Sequence, residues 1–565
     1  MTAVLGVSAH YHDAAAALVI DGRIVAAQHE ERLSRIKNDA SLPKRAMDAV
    51  LRLGGISAGD LDAVVFYENP YAKLERVLVG TLRAFPRALR QFPRALGSQL
   101  GGKIWVMDAL ADALSIPRAR IELVRHHQAH AASAVYCSPF ERAAVMVVDA
   151  VGEEACTSLW HADAEGLREL THIDYPHSLG LFYAAITAYL GFEVNDGEYK
   201  VMGLAAYGKP ARREEMARLL KVASDGSYEL GLDYFDRFTR TELGYGQKLI
   251  GLLGPARSPF ERWDLTTERD RAYADIARSA QDALEDALIA IATEAKRRTG
   301  EDALCLAGGV ALNAVANRRI AREAGFANVF VQPAAGDAGG ALGAAILGAL
   351  TRGSPRPAPL AGADLGVAVA GAPIATHARA LGLIALPVVD VASAIADAIA
   401  AREIVACVQG RCEWGPRALG FRSILARADD VEMRERLNRA VKKREPFRPF
   451  APVVLESDAA AWFAGGANAM TPFMTTVAEV LKPEALPAVT HVDGTARVQT
   501  VGPSTQLGAV LGHLKQRGDI PVILNTSLNG PGEPMVATAT DALSFFVRHG
   551  VDRMFIDDVM LTRPA

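Results

Sequence analysis

The stretch AVLGVSAHYHDAAAALVIDGRIVAAQHEE, at residues 3–31, decides the fold. A polar loop (Ser8–Asp13) separates its first two apolar runs, and the turn Asp21–Gly22 before the third run is typical of a β-hairpin. The same order returns in AAVMVVDAVGEEACTSLWHADAEGLRELTHI at residues 143–173, with a polar loop at Asp149–Glu154. Two such units predict an α/β protein with a duplicated nucleotide-binding core.

A long helix and a proline-rich segment organise the rest of the chain. The sequence DRAYADIARSAQDALEDALIAIATEAKRR, at residues 270–298, has apolar residues at three-to-four spacing and predicts a helix, which the short strand DALCLAG follows. The segment SPRPAPL, at residues 354–360, is typical of a linker because proline occupies every second position. We therefore expect a first domain at 1–353, a linker at 354–372 and a second domain at 373–565.

Composition limits the class of protein and its partners. The chain has 565 residues, 50% of them hydrophobic, and a net charge of −4, which suits two large globular domains and argues against nucleic acid or an anionic membrane as a partner. The N-terminus lacks the basic segment of a signal peptide, and no apolar run reaches the roughly 18 residues of a membrane span. The 5 cysteines include no C-x-x-C pair, which argues against a zinc ribbon. We expect a cytoplasmic protein.

A histidine cluster is the strongest candidate for a metal site. His126 and His130 would lie one turn apart on the same face of a helix, which suits one divalent ion. The glutamate of the H-E-x-x-H zinc proteases is absent. Asp149 and Asp337, each in a polar or glycine-rich loop, are the candidate carboxylate ligands. Such a donor set suits Fe(II), Mn or Zn, and a hydrogen-bonded histidine cluster without metal is the alternative.

Two glycine-rich turns are candidates for nucleotide contacts. They are LAGGVALN at residues 306–313 and the turn that begins at Gly336. Glycines let the backbone approach a ligand, and a helix N-terminus favours phosphate. Neither turn is a Walker A sequence, and tight helix–strand packing would also require glycine. Lys200, in EYKVMGLAAYG, is either a phosphate or adenylate ligand or part of a surface salt bridge.

The second domain carries cations interleaved with Trp, Phe, Pro and Gly. The segments are GRCEWGPRALGFRS (410–423), KKREPFRPF (442–450), Arg497 and NTSLNG (525–530). Arginine binds phosphate through two parallel hydrogen bonds. Because aromatic and proline residues separate the cations, we expect a lined anion site here in preference to a solvated charged face.

These segments, taken in order, resemble the O-carbamoyltransferases of antibiotic and nodulation-factor biosynthesis, which include the nebramycin- and cephalosporin-type enzymes. The resemblance spans nearly the whole chain and rests on His12–Asp13, Glu30–Arg32, His126–His130, Glu198–Gly208, Ala307–Asn313, Gly336–Gly340, Glu413–Ser423, Arg444–Pro452 and His491–Val498. It implies an N-terminal actin-like ATPase-fold domain, similar to the tRNA threonylcarbamoyl-transfer enzymes, and a C-terminal YrdC-like domain.

The resemblance also implies a reaction at two sites. In the C-terminal domain, carbamoyl phosphate gives carbamate, which ATP with Mg²⁺ converts to carbamoyl-adenylate and pyrophosphate. The N-terminal domain then transfers the carbamoyl group to a hydroxyl of a small-molecule acceptor, which the sequence does not identify. The metal is expected to be Fe(II), held by His126, His130, Asp149 and Asp337. The oligomeric state stays open, with a homodimer as one option.

Individual roles follow from the same resemblance. His12 is expected nearest the transfer chemistry, where an imidazole can take the acceptor proton as a general base, and Lys200 is the second candidate catalytic residue. The expected nucleotide and adenylate contacts are Lys200, Gly308, Gly309, Asn313 and Gly336. The expected carbamoyl phosphate and ATP contacts are Arg417, Arg422, Lys442, Arg448, Arg497, Asn525 and Ser527.

Three other classes share part of this pattern. A sugar kinase of the actin-like fold would lack the histidine pair and the C-terminal cations. A hydrogenase-maturation carbamoyltransferase would carry C-x-x-C pairs. A nucleotide-switched binding protein of the Hsp70 type would respond to ATP without requiring carbamoyl phosphate.

Overall fold

The computed structural model describes residues 1–564 except 84–92, 94–95, 98–99, 236–243, 260 and 370–372. The chain divides into two compact units, of which the first comprises Met1–Val25 and Ala40–Leu360 and the second comprises Ala26–Asp39 and Ala361–Ala565. The predicted linker, 354–372, ends on residues outside the described part. The sequence analysis did not predict that Ala26–Asp39 belongs to the second unit.

Ten described strands of the first unit form two sheets of the same design. The first contains β1 (Ala3–Ser8), β2 (Ala15–Ile20), β3 (Arg23–His29), β4 (Ala63–Phe66) and β5 (Ile121–Leu123), in the order β3-β2-β1-β4-β5. The second contains β6 (Ala143–Val148), β7 (Ala155–Asp163), β8 (Gly166–Asp174), β11 (Ala303–Ala307) and β12 (Asn328–Val331), in the order β8-β7-β6-β11-β12. A separate hairpin consists of β9 (Leu220–Val222) and β10 (Tyr228–Leu230).

The two sheets also agree in strand direction. In each, the first strand is antiparallel to the second and parallel to the fourth, and the fourth is parallel to the fifth. The turn between β2 and β3 has positive φ at both Asp21 and Gly22, the conformation that a tight hairpin requires. The repeated topology confirms the predicted duplicated actin-like fold.

α1 (Glu30–Ser34) belongs to the second unit, and the other helices up to Leu350 fill the connections of the first unit. The described helices up to Leu350 are α1 (Glu30–Ser34), α2 (Lys44–Gly54), α3 (Pro70–Arg83), α4 (Val106–Leu114), α5 (His126–Val135), α6 (Leu179–Tyr189), α7 (Glu198–Ala205), α8 (Arg213–Leu219), α9 (Gln247–Leu253), α10 (Glu268–Thr299), α11 (Ala314–Glu323) and α12 (Asp337–Leu350). The long helix predicted at 270–298 is confirmed as α10.

The glycine-rich helix α12 packs against β1 and α5. A Cβ atom added at Gly343 would lie 1.8 Å from the Ala129 carbonyl oxygen, so that only glycine permits this approach of the two backbones. The close crossing sets the N-terminus of α12, at Asp337, beside the first turn of α5. The packing of small residues therefore positions two parts of the candidate site.

The second unit is built on one mixed sheet of eight described strands. They are β13 (Ile384–Pro387), β14 (Val405–Val408), β15 (Arg422–Arg427), β16 (Ala451–Leu455), β19 (Gln499–Val501), β20 (Val522–Ser527), β21 (Arg553–Ile556) and β22 (Val559–Thr562), in the order β13-β22-β21-β14-β15-β20-β16-β19. A two-stranded ribbon pairs β17 (Ala478–Glu479) with β18 (Thr495–Ala496). This is the α/β domain that the resemblance predicts.

Helices cover both faces of this sheet. They are α13 (Ile374–Ala380), α14 (Val391–Ala400), α15 (Met433–Leu437), α16 (Ala459–Trp462), α17 (Gln506–Gln516) and α18 (Ala539–Arg548). One apolar core lies under α14 and α17, and a larger one contains residues of α13, α15 and α18. No helix in the described part of the chain combines the length and the hydropathy that crossing a membrane requires.

Candidate active site

The two histidines of the predicted metal site lie in the first turns of α5. The helix begins at His126, whose backbone N–H donates to the Glu153 carboxylate at 2.9 and 3.1 Å. This contact satisfies a donor that has no partner inside the helix. One turn later His130 lies on the same face, with its Nε2 atom 3.1 Å from Nε2 of His126. Both side chains are buried.

Two aspartates complete the cluster from the ends of other elements. Asp149 directly follows β6, and its Oδ2 atom lies 3.0 Å from Nε2 of His126 and 3.3 Å from Nε2 of His130. Asp337 is the first residue of α12, and its Oδ1 atom lies 3.7 and 3.6 Å from the same nitrogens. One donor atom from each of the four residues lies within 4.8 Å of the others. The four predicted ligands therefore converge.

The second oxygen of each aspartate is held by the protein. Asp149 Oδ1 accepts hydrogen bonds from the backbone N–H groups of Ala150 at 2.7 Å and Gly309 at 3.4 Å. Asp337 Oδ2 accepts one from the Tyr67 hydroxyl at 3.1 Å. Such outer contacts orient ligating carboxylates. Two imidazole nitrogens and two oriented carboxylate oxygens fit a divalent transition-metal ion.

Charge holds the four groups together when no ion is bound. Burial lowers the pKa of His130, but hydrogen bonds to Asp149 and Asp337 outweigh it and raise that pKa to about 9. Burial raises the pKa of Asp149, but contacts with His126 and His130 hold it well below its usual value. His127 does not join the cluster, since its Nδ1 atom lies 2.7 Å from the Ser158 hydroxyl. The metal-free cluster is thus a protonated imidazole between carboxylates.

The affinity of this cluster for a divalent ion should rise with pH. A ligating imidazole must be deprotonated, and His130 loses its proton at a pKa of about 9. We expect affinity to increase about tenfold per pH unit from pH 7 to 9 and then to level off. Competition with a chelator at each pH measures this dependence. An affinity that stays constant between pH 7 and 9 would contradict the predicted protonation state.

His12 lies in the polar loop between β1 and β2. Its Nδ1 atom is 2.9 Å from Oδ2 of Asp13. Burial lowers the pKa of His12, but Asp13 outweighs it, and with Asp337 and Asp149 raises the pKa to about 9. His12 is therefore protonated near neutral pH in the metal-free protein, which opposes the predicted role as a base. A divalent ion would offset the charges of Asp149 and Asp337 and lower this pKa.

The predicted nucleotide contacts have structural partners of their own. Gly308 has φ 87°, and a Cβ atom there would lie 2.2 Å from the Val148 carbonyl oxygen. Asn313 caps α11 and exchanges two side-chain hydrogen bonds with Gln281, at 3.0 and 2.9 Å. A Cβ atom at Gly336 would lie 3.7 Å from Oδ2 of Asp13. These turns therefore fit closely around Asp149 and Asp13 even without a ligand.

Lys200, the second candidate catalytic residue, lies in the first turn of α7. Its Nζ atom is 5.6 Å from the centre of the Phe192 ring. A cavity lies beside Asp149 and Asp337, and Lys200 is not among the residues that line it. Glu198, two residues earlier, is close enough to His12 for the imidazole to lower the pKa of the carboxyl, although burial is the larger effect and raises it. Sequence analysis named Glu198 only as part of the segment Glu198–Gly208 and gave it no role of its own.

A cavity of about 210 Å³ opens beside Asp149 and Asp337. Its other walls are formed by Tyr11, Lys73, Arg76, Lys103, Ala150 and Val151. The sequence analysis missed the three cations, because they come from the connection between β4 and β5 and follow no recognisable pattern. Asp149 and Asp337 therefore share this cavity with three cations.

In the second unit, two buried side chains hold the backbone of the loop that carries Arg417. One oxygen of the buried Glu413 carboxylate accepts the N–H groups of Leu419 and Phe421, each at 2.9 Å, and of Arg422 at 2.8 Å. The buried guanidinium of Arg32 donates to the carbonyl oxygens of Glu413 and Gly415. Each contact satisfies a backbone group that would otherwise be buried unpaired. The loop is therefore held without any ligand.

Four arginines gather beside this loop. Burial and the neighbouring guanidinium groups of Arg417, Arg444 and Arg448 hold the pKa of Arg497 well below its usual value. Arg497 makes no hydrogen bond or ion pair with any described residue, and its Nε atom is closed off from solvent. Arg448 forms an ion pair with the carboxylate of Glu445 at 3.5 Å. The cluster has the charge of a site built for a polyanion.

Arg422 is a correction to the predicted anion contacts. It lies in β15, where the sequence analysis expected a loop, and it is fully buried. Its terminal nitrogens donate to the backbone carbonyl oxygens of Gln409, Phe421, Val367, Gly410 and Ala537. The guanidinium therefore ties together backbone segments that flank β14, β15 and α18, and its terminal nitrogens are occupied by the protein itself.

Three other predicted contacts lie around the loop after β20. Lys442 donates through Nζ to the Ser527 hydroxyl at 3.2 Å and to Asn529 Oδ1 at 2.9 Å. Burial, Arg444 and Arg448 hold the pKa of Lys442 well below its usual value. Asn525 donates to the carbonyl oxygen of Ala418, at 3.0 Å. Lys442 and Asn525 thus position the neighbouring loops.

Comparison with known proteins matches both units. Residues 3–346 match the family model described as carbamoyltransferase N-terminus, and residues 396–563 match the one described as carbamoyltransferase C-terminus. The chain belongs to the carbamoyltransferase family. The protein is therefore an enzyme of this class, and the predicted family membership is confirmed.

Relatives of this carbamoyltransferase cover almost its full length. The uncharacterized protein sll1178 of Synechocystis is 40% identical over 100% of this chain and 97% of its own length. The nodulation protein NolNO of Sinorhizobium fredii is 36% identical over 98% of this chain and 79% of its own. Among solved structures, full-length HypF in a phosphate- and nucleotide-bound form has a TM-score of 0.33 and 14% identity, covering 62% of this chain and 56% of HypF.

Proposed function

We propose that the protein is an ATP-dependent O-carbamoyltransferase. It would form carbamoyl-adenylate in its C-terminal domain and transfer the carbamoyl group from it to a hydroxyl acceptor in its N-terminal domain. The observation that carries the proposal is the pairing of two different centres within one carbamoyltransferase. One is a cluster of arginines around Arg497, and the other is the histidine–aspartate cluster at His126 and Asp149. Iron is the metal that the family resemblance implies for the second.

The arginine cluster suits the first step. Water hydrolyses carbamoyl phosphate to carbamate and inorganic phosphate. An oxygen of the carbamate then attacks the α-phosphorus of ATP, and the bond from that phosphorus to pyrophosphate breaks. Charge develops on the phosphoryl oxygens during this displacement, and preorganised guanidinium groups with Mg²⁺ stabilise it. Arg417, Arg448 and Arg497 are the proposed contacts. Lys442 orders the loop at Ser527 that would complete the pocket.

The histidine–aspartate cluster suits the second step. The acceptor hydroxyl oxygen attacks the carbamoyl carbon, the bond from that carbon to the AMP phosphate breaks, and AMP leaves. His12 takes the hydroxyl proton once the charge of the cluster is balanced. An ion held by His126, His130, Asp149 and Asp337 would supply Lewis acidity at the adenylate. The turn at Gly308 and Gly309, with Lys200, would contact the nucleotide.

Product analysis tests the proposal. Incubation with ATP and carbamoyl phosphate, without any acceptor, should release pyrophosphate and form AMP or bound carbamoyl-adenylate, and neither substrate alone should do so. Mass spectrometry of a hydroxyl acceptor added next should show one carbamoyl group. Release of ADP in place of pyrophosphate would overturn the adenylate route and would point to a kinase.

Replacing His12 with asparagine should separate the two steps. We expect transfer from supplied carbamoyl-adenylate to fall about 10²–10⁴-fold, the usual contribution of a positioned acid–base group. Pyrophosphate release from ATP should be unchanged, because His12 belongs to the first unit. Single-turnover transfer assays measure the first effect, and His172→Asn, at an exposed histidine of β8, is the control. Full transfer activity in His12→Asn would remove His12 from the mechanism.

A further inference from the structure

His29 is a buried histidine of the second unit to which the proposed mechanism gives no role. It is the last residue of β3 and lies in the segment Ala26–Asp39, which belongs to that unit. Its ring packs on the fully buried Trp414, with 4.6 Å between the ring centres. Its Nε2 atom accepts the backbone N–H of Gly415 at 3.1 Å. A ring nitrogen that accepts a hydrogen bond carries no proton, so this contact requires His29 with Nε2 unprotonated.

Gly415 is held at both polar groups of its backbone. His29 accepts its N–H, and the guanidinium of Arg32 donates to its carbonyl oxygen and to that of Glu413. Gly415 has φ 106°, a conformation that favours glycine, and glycine is the residue type with the most backbone freedom to lose. Two side chains from one short segment therefore fix the point of this loop that would otherwise move most easily.

The loop is also held on the other side of Arg417. Side-chain amides of β19 and β20 donate to the carbonyl oxygens of Ala418, at 3.0 Å, and Leu419, at 2.8 Å. Only Pro416 and Arg417 lie between Gly415 and these anchored residues, and the proline ring restricts its own φ. Contacts on both sides therefore determine the backbone position of Arg417.

The length of this loop indicates a role beyond joining two strands. It spans residues 409–421 between β14 and β15, which are antiparallel neighbours in the sheet. Such neighbours need a connection of only about 2–5 residues, and much longer ordered loops are usually functional. After burial, Arg417 is the largest influence that lowers the pKa of Arg497, so the loop brings its guanidinium close to that of Arg497.

We propose that His29 is a positioning residue for the arginine cluster, and that by holding Gly415 it places the Arg417 guanidinium to bind phosphoryl oxygens. The inference rests on the proposed function, which assigns carbamoyl-adenylate formation to this cluster. His29 acts through Arg417 and not on the substrate. A guanidinium that is already in place need not be ordered when a polyanion binds or when charge develops during the reaction.

Three substitutions separate the hydrogen bond of His29 from its packing. His29→Gln places an amide oxygen near the position of Nε2 and keeps the acceptor. His29→Asn reaches only the position of Nδ1, and His29→Phe keeps a ring on Trp414 without an acceptor. Calorimetric titration of the full-length protein with pyrophosphate should show about tenfold weaker binding in His29→Asn and His29→Phe, the effect of one hydrogen bond, and wild-type affinity within about twofold in His29→Gln. His377→Phe, at an exposed histidine of α13, is the control and should bind normally.

A double-mutant cycle shows whether His29 acts through Arg417. Arg417→Ala alone should weaken pyrophosphate binding about tenfold or more, and His29→Phe should cause no further loss in that background, because the group that it positions is gone. A purely structural role would change the unfolding midpoint without this coupling. Additive losses overturn the proposal. So does wild-type affinity in both His29→Phe and His29→Asn, or a wild-type protein that does not bind pyrophosphate.

Kinetic assays connect His29 to the proposed reaction. With ATP and carbamoyl phosphate, pyrophosphate release should slow about tenfold in His29→Phe and recover in His29→Gln. Transfer from supplied carbamoyl-adenylate should stay unchanged, because the histidine–aspartate cluster belongs to the first unit. A wild-type protein that binds pyrophosphate but does not release it from ATP would refute the proposed function, while the binding cycle would still decide the role of His29. Transfer that slows as much as pyrophosphate release would contradict the positioning role.

Discussion

Replacement of Asp337 by asparagine should remove the bound metal and stop carbamoyl transfer. The substitution deletes one of two ligating carboxylates and its charge, while the Tyr67 hydroxyl, which donates to Asp337 Oδ2, can still donate to the amide oxygen. We expect metal affinity to fall at least about 100-fold and transfer from carbamoyl-adenylate to fall about 10²–10³-fold. Metal analysis of the purified protein and single-turnover transfer assays measure these effects.

The same variant should retain the first step. Asp337 belongs to the first unit, whereas the arginine cluster belongs to the second, so pyrophosphate release from ATP and carbamoyl phosphate should stay within about twofold of the wild-type rate. Asp48→Asn, at an exposed position of α2, is the matched control and should bind metal normally. Normal metal content in the Asp337→Asn variant would show that Asp337 is not a metal ligand and would contradict the proposed four-residue site.

Replacement of Arg497 by methionine should abolish adenylate formation and leave the protein as stable as before, or more so. Arg497 is crowded by three other guanidinium groups and bonds to no described residue, so an apolar side chain of similar length relieves repulsion. Removing a charge that no described carboxylate balances should leave the free energy of unfolding unchanged or raise it. Loss of a preorganised contact to phosphoryl oxygens should slow pyrophosphate release at least about 10²-fold.

Arg32→Met provides the contrast for this experiment. Arg32 is fully buried, whereas Arg497 is partly buried, and Arg32 donates to the carbonyl oxygens of Glu413 and Gly415. Its loss leaves those carbonyls unpaired and should lower the free energy of unfolding by about 2 kcal/mol or more. Denaturant unfolding of both variants measures the difference. A destabilised Arg497→Met protein would show that Arg497 maintains the fold instead of binding substrate.

The fold of the first unit was predictable because each sequence pattern that indicates it lies within a short segment of the chain. The turn Asp21–Gly22, the polar loop after each first strand and the spacing of apolar residues in α10 each lie within one short window of sequence. The convergence of the four proposed metal ligands was predictable for a related reason. His126 and His130 are four residues apart, Asp149 directly follows an apolar strand, and Asp337 stands where a glycine-rich turn meets a helix.

Other features depend on residues far apart in sequence. β15 was missed because residues 410–423 were interpreted as one loop, shaped by Gly and Pro, that lines an anion site. Only the backbone carbonyls around Arg422 show that its guanidinium is held by the protein itself. Lys103 was missed because it belongs to no recognisable motif, and only the folded chain places it at the cavity. The raised pKa of His12 depends on Asp13 and on carboxylates more than 100 residues away in sequence, so its charge state could not be inferred from its position in a loop.

The assignment of Ala26–Asp39 to the second unit has a consequence for biosynthesis. These residues leave the ribosome early, yet their partners include Gln28 with Val367, Arg32 with Glu413, and Arg35 with Pro534 and Met535. The second unit is therefore completed only after nearly the whole polypeptide has been made. A gene divided at the proline-rich linker would encode a C-terminal fragment without this segment, and such a fragment would lose those hydrogen bonds.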